Sequence, residues 1–589
     1  MHNLKKKFAL IACAVNGLLF TPHLSAKDIY VSQSGSGTTN SLAWANTGAN
    51  WNGTFIAPGD TLHLVGTFTN ALQIQGSGTP GLPITIYFEP GTKFSKPSWG
   101  TISTHAVPTQ VQLLSDTAIY CVNGLGLHDV VIDGGVDGTI ECLNNGNGGT
   151  YTNHCSGVWL YPLNNVEVKN LAVKNMCVYF GSDDWKPVYP WFTNNNGTTN
   201  FTAQNVYNNW PTPGAHTAYE LPVVFRHPPS ATQGIRMEGP MTNCSIHNCF
   251  VDHAGNGLMI VLSGTASNVQ VYSNTLLHCS WGLGWLQSIP DTTCFNSAIW
   301  ANRIDAQTNW NGNPMGLMGN NSNHGDGMLV NCQGARATNY NMRIYRNHIG
   351  PAMGTNMTAL IWQETTWHAG SWQNLMIYNN LLRADDPHLG NTRIANGLLG
   401  INGDRVRVFN NTFISRTAPV NDPPHGIVQV PSGVAMAIAS TSVRGAVLQN
   451  NLTFNLGAGT GSLNNSAPFT TVDYNVWWFT PPIDPNITMT WGLPGTYNQT
   501  DWNGWKTAGH DAHGSKNRPS LSSNFSPLAT DTAVTGKGTN LTSYGVTDDF
   551  FGNPRPATGP WTVGAIENTG STNRAVQPPF LYPPTPVTP

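Results

Sequence analysis

At 589 residues, with 40% hydrophobic side chains and 20 Trp, the chain is too apolar for a disordered protein. A net charge of −3, with Lys and Arg clustered only near the N-terminus, excludes a basic nucleic-acid face and electrostatic docking on an acidic membrane. The 62 Gly and 40 Pro fall between short apolar runs, which excludes long amphipathic helices and points to many short strands joined by turns.

The N-terminus carries Lys5, Lys6 and Lys7, an apolar run from Phe8 to Phe20, and small residues in Leu24-Ser25-Ala26. A basic start, a short apolar middle and a small-residue exit describe a secretory signal peptide over residues 1–26. The run is shorter than the roughly 20 residues of a spanning helix. The expectation is therefore a secreted protein, extracellular or periplasmic, with no membrane insertion. Nine of the ten cysteines lie between Cys121 and Cys332 without the paired spacing of a zinc site. They are expected to be buried or bridged structural residues, with no metal.

From about residue 126 a strand followed by asparagine recurs. It appears as Val269-Gln-Val-Tyr-Ser-Asn274, Ala298-Ile-Trp-Ala-Asn302 and Met342-Arg-Ile-Tyr-Arg-Asn347. Leu375-Met-Ile-Tyr-Asn-Asn380, Val406-Arg-Val-Phe-Asn-Asn411 and Ala446-Val-Leu-Gln-Asn-Asn451 continue it, and Cys244-Ser-Ile-His-Asn248 is a weaker copy. The alternation predicts strands with one buried face. One Asn per repeat, every 26 to 45 residues, predicts a stacked ladder of side-chain amides. Between these copies a second strand opens on glycine: Ser156-Gly-Val-Trp-Leu-Tyr, Gln233-Gly-Ile-Arg-Met-Glu, Asn256-Gly-Leu-Met-Ile-Val, Trp281-Gly-Leu-Gly-Trp-Leu and His324-Gly-Asp-Gly-Met-Leu. A single coil cannot bury its apolar face alone, so the coils stack.

These residues resemble the secreted right-handed parallel β-helix proteins of the pectate-lyase-like superfamily. Asp28-Ile-Tyr-Val-Ser and Pro58-Gly-Asp-Thr-Leu look like their opening segment, and Phe551-Gly-Asn-Pro-Arg-Pro with Val563-Gly-Ala-Ile-Glu567 like their exit. The expected fold is all-β, a right-handed parallel β-helix (solenoid) with terminal capping segments. Residues 27–125 would form the N-terminal cap and first coils, 126–478 the core and 479–567 a C-terminal cap over the last coil. Residues 568–589 would be a flexible Pro-rich tail. The resemblance implies polysaccharide lyases, glycoside hydrolases or glycan-binding stalks, and a polysaccharide partner. No paired-aspartate and Gly-His-Gly signature of polygalacturonases is present.

Breaks in the repeat mark candidate residues. Aligned on the opening glycine, Asp326 falls in a column otherwise filled by apolar residues such as Leu258 and Leu283, with His324 beside it. An unpaired carboxylate there would be costly. The opposite parity presents Trp159 and Tyr161, Arg236 and Glu238, and Trp362 and Glu364. Aromatic rings beside carboxylates suit sugar rings. Two centres follow: Arg236, Glu238 and His253, or His324, Asp326 and Glu364 with His368 nearby. Trp159, Tyr161, Trp362 and His368 would bind substrate. A hydrolase needs a carboxylic acid and a second carboxylate, which Asp326 with Glu364 or Glu238 with Asp252 would supply without a cofactor. A lyase needs a base such as Arg236 or His253, with Ca²⁺ a possible neutraliser of the uronate. The low charge favours the hydrolase, then the lyase, then a non-catalytic binding protein.

Overall fold

The computed structural model describes residues 26–97, 99, 120–143, 156–176, 233–306, 325–353, 357–364, 370–385, 398–401, 405–415, 420–421, 428–429, 434–438, 445–456, 458–461, 469–479 and 502–568. Among these residues, 38 strands form one parallel sheet wound on itself, and Val420–Asn421 pairs with Val428–Gln429 as a small antiparallel ribbon. This is the all-β parallel solenoid expected from the sequence. Residues 1–25 of the proposed signal peptide and 569–589 of the Pro-rich tail lie outside the described residues.

One coil illustrates the path. Met241–Thr242, Ser245–His247 and Phe250–Val261 are followed by Ala266, Ile246's partner Val271 and Val251's partner Leu276 on the next coil. In each short strand the central apolar residue points inward: Ile246, Val271, Ile299, Ile344, Ile377 and Val408 are all fully buried. They belong to one core that runs from Val31 to Trp505.

The asparagine ladder is present and continuous. Asn274, Asn302, Asn347, Asn380, Asn411, Asn451 and Asn475 are fully buried. Each Nδ2 donates to the Oδ1 of the next, at 2.9–3.1 Å, and each backbone N–H donates to that same oxygen. The second amide hydrogen goes to a strand carbonyl on the preceding coil, as Asn380 does to Ile344 O at 3.0 Å. The residue before each asparagine is left-handed, from Ser273 (φ 55°) to Asn450 (φ 60°). That corner costs about 1 kcal/mol or more for a residue such as Ala301, and the amide bonds offset it. Asn248 is one of these left-handed corners. The ladder position beside it belongs to Cys249, whose backbone N–H donates to Asn274 Oδ1 at 3.0 Å.

The C-terminal region does two things. The helix Trp502–Thr507 places Trp505 in the core, and Asp511 receives the last rung. Asn475 N and Nδ2 donate to Asp511 Oδ1 at 3.1 and 2.9 Å, and the indoles of Trp477 and Trp505 donate to Oδ2 at 2.8 and 3.1 Å. The segment after it first lies against the last coil, where Ser515 N donates to Asn475 O at 3.0 Å and Trp477 N to Ser515 O at 2.9 Å. It then returns along the flank, bonded to the corner residues: Asn450 to Thr539, Asn410 to Thr562 and Gly564, and Asn379 to Asp548. Buried Arg555 ties this segment together through Glu567 (2.8 Å), Asn379 and four backbone carbonyls.

The seven described cysteines are all buried. Burial pushes Cys249 and Cys332 up to about 12, so these thiols stay neutral and serve as core residues.

Burial also raises Asp511, to about 6, against hydrogen bonds that pull the other way. The folded chain then holds this proton more tightly than the unfolded chain does. The group's contribution is greatest below about pH 4 and falls by roughly 3 kcal/mol as pH rises past 6. Denaturation of the wild type and Asp511→Asn at pH 4 and 7 is expected to show the wild type losing ground to the variant by about that amount. Asn380→Ala removes one rung and leaves its neighbours' amides short of a partner. It is expected to cost about 2–4 kcal/mol in the same measurement.

Candidate active site

The long strands carry the candidate residues, so their register decides which ones meet. The pairing runs Ser156, Gln233, Asn256, Trp281, Asp326 and Ala359 in one row. Asp326 therefore does not sit in the column of Leu258 and Leu283; Met328 does. The Gly-Asp-Gly sequence contains two glycines, and Gly327 is the one in register. A Cβ there would stand 2.5 Å from Leu360 O, as one at Gly257 would from Gly282 O. Asp326 is fully buried, with Oδ1 accepting from Ala359 N at 3.3 Å. It belongs to a row of buried polar corner residues that includes Ser156, Gln233 and Asn256, not to an exposed cleft.

The outward row reads Trp159, Arg236, Met259, Gly284, Leu329 and Trp362, and the next one Glu238, Val261, Leu286, Asn331 and Glu364. The expected parity holds, but the pairings within it change. Glu364 is opposite Asn331, five residues beyond Asp326's partner Ala359. At about 3.3 Å per residue that is roughly 17 Å, too far for an inverting pair. Glu238 and Glu364 are four coils apart. Trp362 is only 6% exposed and packs with Leu329, Ala359, Trp281 and Leu286, so it is no open sugar platform. His324 and His368 lie outside the described residues, as does the side chain of Glu364.

Around Glu238 a compact group forms. Arg236 donates from Nε and Nη2 to Glu238 Oε2 at 2.8 and 2.7 Å, and the Trp159 indole donates to the same oxygen at 3.1 Å. Trp159 and Tyr161 stack at 6.4 Å. With one Glu238 oxygen occupied by three donors and two stacked rings beside it, the group can hold a sugar ring.

His253 does not join it. Arg236 pairs with Met259, six residues further along the strand than His253. Instead His253 meets a residue that the sequence reading did not single out. His278 Nδ1 lies 2.7 Å and His253 Nδ1 3.0 Å from the same oxygen, Asp252 Oδ1, and the two rings stack at 4.4 Å. All three side chains are about a quarter exposed. His253 (φ 56°) and His278 (φ 48°) both occupy left-handed kinks where the chain turns between faces. Burial works to raise Asp252, but the hydrogen bonds and charge of the two imidazoles outweigh it and hold the carboxyl well below the usual range. Lys174 is Asp252's partner on the preceding coil. The signal was present: Val251-Asp-His-Ala254 and Leu276-Leu-His-Cys279 are one bare coil apart.

These three side chains also form the one group of metal-ligand geometry among the described residues, with donor atoms within 4.8 Å of one another. One carboxylate and two imidazoles suit a transition metal, whereas Ca²⁺ takes six to eight oxygens. The Ca²⁺ considered for a lyase does not fit this donor set. No described helix is long and apolar enough to cross a membrane.

If Asp252 fixes the two rings through Nδ1, then Asp252→Asn frees them. Histidine ¹⁵N spectra are expected to show both rings held as Nδ1–H tautomers in the wild type and a shift of that population in the variant.

No protein-family profile and no curated protein matches the sequence. Solved structures similar to the chain include pectate lyase Pel9A (12% identity, TM-score 0.39, covering 92% of this chain and 96% of that one). Others are XylC in complex with xylose (9%, 0.41, 92% and 98%) and the family 28 exopolygalacturonase of Yersinia enterocolitica (10%, 0.35, 80% and 76%). By its own strand register and asparagine ladder, the chain has the parallel β-helix architecture of the pectate-lyase-like proteins that its sequence resembles.

Proposed function

We propose that the protein is a secreted enzyme that cleaves the glycosidic bonds of a uronate-containing polysaccharide by β-elimination, with the Asp252–His253–His278 group as its base. The observation that carries this reading is the shared carboxylate oxygen. Asp252 Oδ1 lies within 3.0 Å of each Nδ1, so each Nε2 is the nitrogen turned away from the carboxylate. One Nε2 takes the proton from the carbon beside the uronate carboxylate. The freed pair forms a carbon–carbon double bond, the bond to the leaving oxygen breaks, and that oxygen takes a proton from solvent. The Lys174 ammonium, one coil away, balances the substrate carboxylate.

A hydrolase reading was favoured by the low charge, yet the described carboxylates support it less. Neither expected pair converges. Among the described residues, the carboxyls raised above their usual range are Asp511 and Asp548, in the C-terminal segment. Asp511 is fully buried at the end of the ladder and out of reach of substrate.

Incubation with a panel of acidic and neutral polysaccharides is expected to give an ultraviolet-absorbing unsaturated product from an acidic one. Asp252→Asn and His278→Ala are expected to lower kcat by about 10²–10⁴. Reducing ends without ultraviolet gain would restore the hydrolase, and neither product from any glycan would leave a binding protein.

A further inference from the structure

Around the corner from Asp252, the short strands present a second outward surface. Its first row is Gln270, Ala298, Arg343, Met376 and Arg407. Its second is His247, Tyr272, Trp300, Tyr345 and Tyr378, whose rings stack at 4.4–5.8 Å. Along the other edge the corner asparagines form an outer lane: Asn341 Nδ2 donates to Asn296 at 3.1 Å and Asn374 Nδ2 to Asn341 at 3.2 Å. The returning C-terminal segment supplies a wall. Tyr544 packs on Phe409 at 4.9 Å and beneath the Arg407 guanidinium at 5.0 Å.

The first row, Tyr345, Tyr544 and the asparagine lane line a groove of about 470 Å³, within the size range of ligand sites. Its floor is apolar, Ala298 and Met376. Arg343 and Arg407 stand two coils apart, roughly 10 Å. Among the described residues neither is paired with a carboxylate; Asp548 pairs with Arg346 at 3.5 Å, and Glu167, further along the same face, with His247 at 2.7 Å. Two guanidiniums that no described carboxylate pairs with, beside a lane of amides and over an apolar floor, match one kind of ligand. That ligand is extended, carries hydroxyls along its length and bears carboxylates at intervals.

We propose that this groove is a binding site for an acidic oligosaccharide, separate from the Asp252 centre, with Arg343 and Arg407 each taking a sugar carboxylate. It rests on the reading that the chain handles uronate glycans, but not on how it breaks them. The groove would hold the polymer on the solenoid while the bond to be cleaved lies at the other face.

The test is calorimetric titration with tetragalacturonate and with the same oligomer after reduction of its carboxyls, on the full chain carrying Asp252→Asn so that nothing is cleaved. The carboxylated oligomer is expected to bind and the reduced one to bind at least 10-fold more weakly. Adding Arg343→Gln and Arg407→Gln is expected to weaken the carboxylated oligomer at least 10-fold while the melting temperature holds. Arg343→Lys with Arg407→Lys is expected to recover part of the loss, since charge without the bidentate fork is retained. Equal binding of both oligomers, or undiminished binding after loss of both arginines, would overturn the groove. Failure of the cleavage reading would show separately, as an absence of unsaturated product from an otherwise wild-type chain that still binds.

Discussion

A buried amide that must find partners is the constraint on which this solenoid is built. Each ladder asparagine has two donors and an acceptor sealed from water, and each is satisfied only if the coils before and after it are in register. Successive rungs are separated by 28, 45, 33, 31, 40 and 24 residues. The chain between rungs can therefore lengthen freely, because the cost of a longer loop grows slowly. What cannot change is the strand, the left-handed corner and the amide. Insertions are thus tolerated between strands and away from the corner, which is how a rigid frame comes to carry long variable loops.

The same constraint explains what was legible in the sequence. The six asparagines named from the repeat are ladder members because their spacing from a buried strand residue never varies. Asn248 failed because its copy is one residue short: the corner kept the asparagine and the ladder position went to Cys249. The glycine-led strands were less legible. Leu360 and Gly327 share a row that Gly282, Gly257 and Gly234 also occupy, so glycine alone does not mark the register. Where two glycines flank Asp326, only the approach of the next coil's carbonyl tells them apart, and that is a fact of three dimensions.

Site residues were legible singly and not as groups. Arg236 and Glu238 are neighbours by strand parity and do pair. His253 and Arg236 share an element order but sit on different faces, because the strand from Phe250 turns a corner at His253 itself. Asp252 found its second imidazole one coil later, through stacking rather than chain proximity. In a solenoid the useful distance is the number of coils, and two residues 25 positions apart can be closer than two residues six apart on one strand.

The ladder also has an electrical direction. Every side-chain amide points one N–H toward the C-terminal end and its carbonyl back, so seven small dipoles add along one line, as peptide units do in a helix. Such a stack is positive where it ends. The residue that receives it, Asp511, is an acceptor on both oxygens, and two indole N–H groups close its far side. At the opposite end Cys249 contributes only a backbone N–H to the first rung. The stack is therefore polar in the sense that a filament is polar, with unlike ends. Its length is set by where the chain supplies an anion to terminate it.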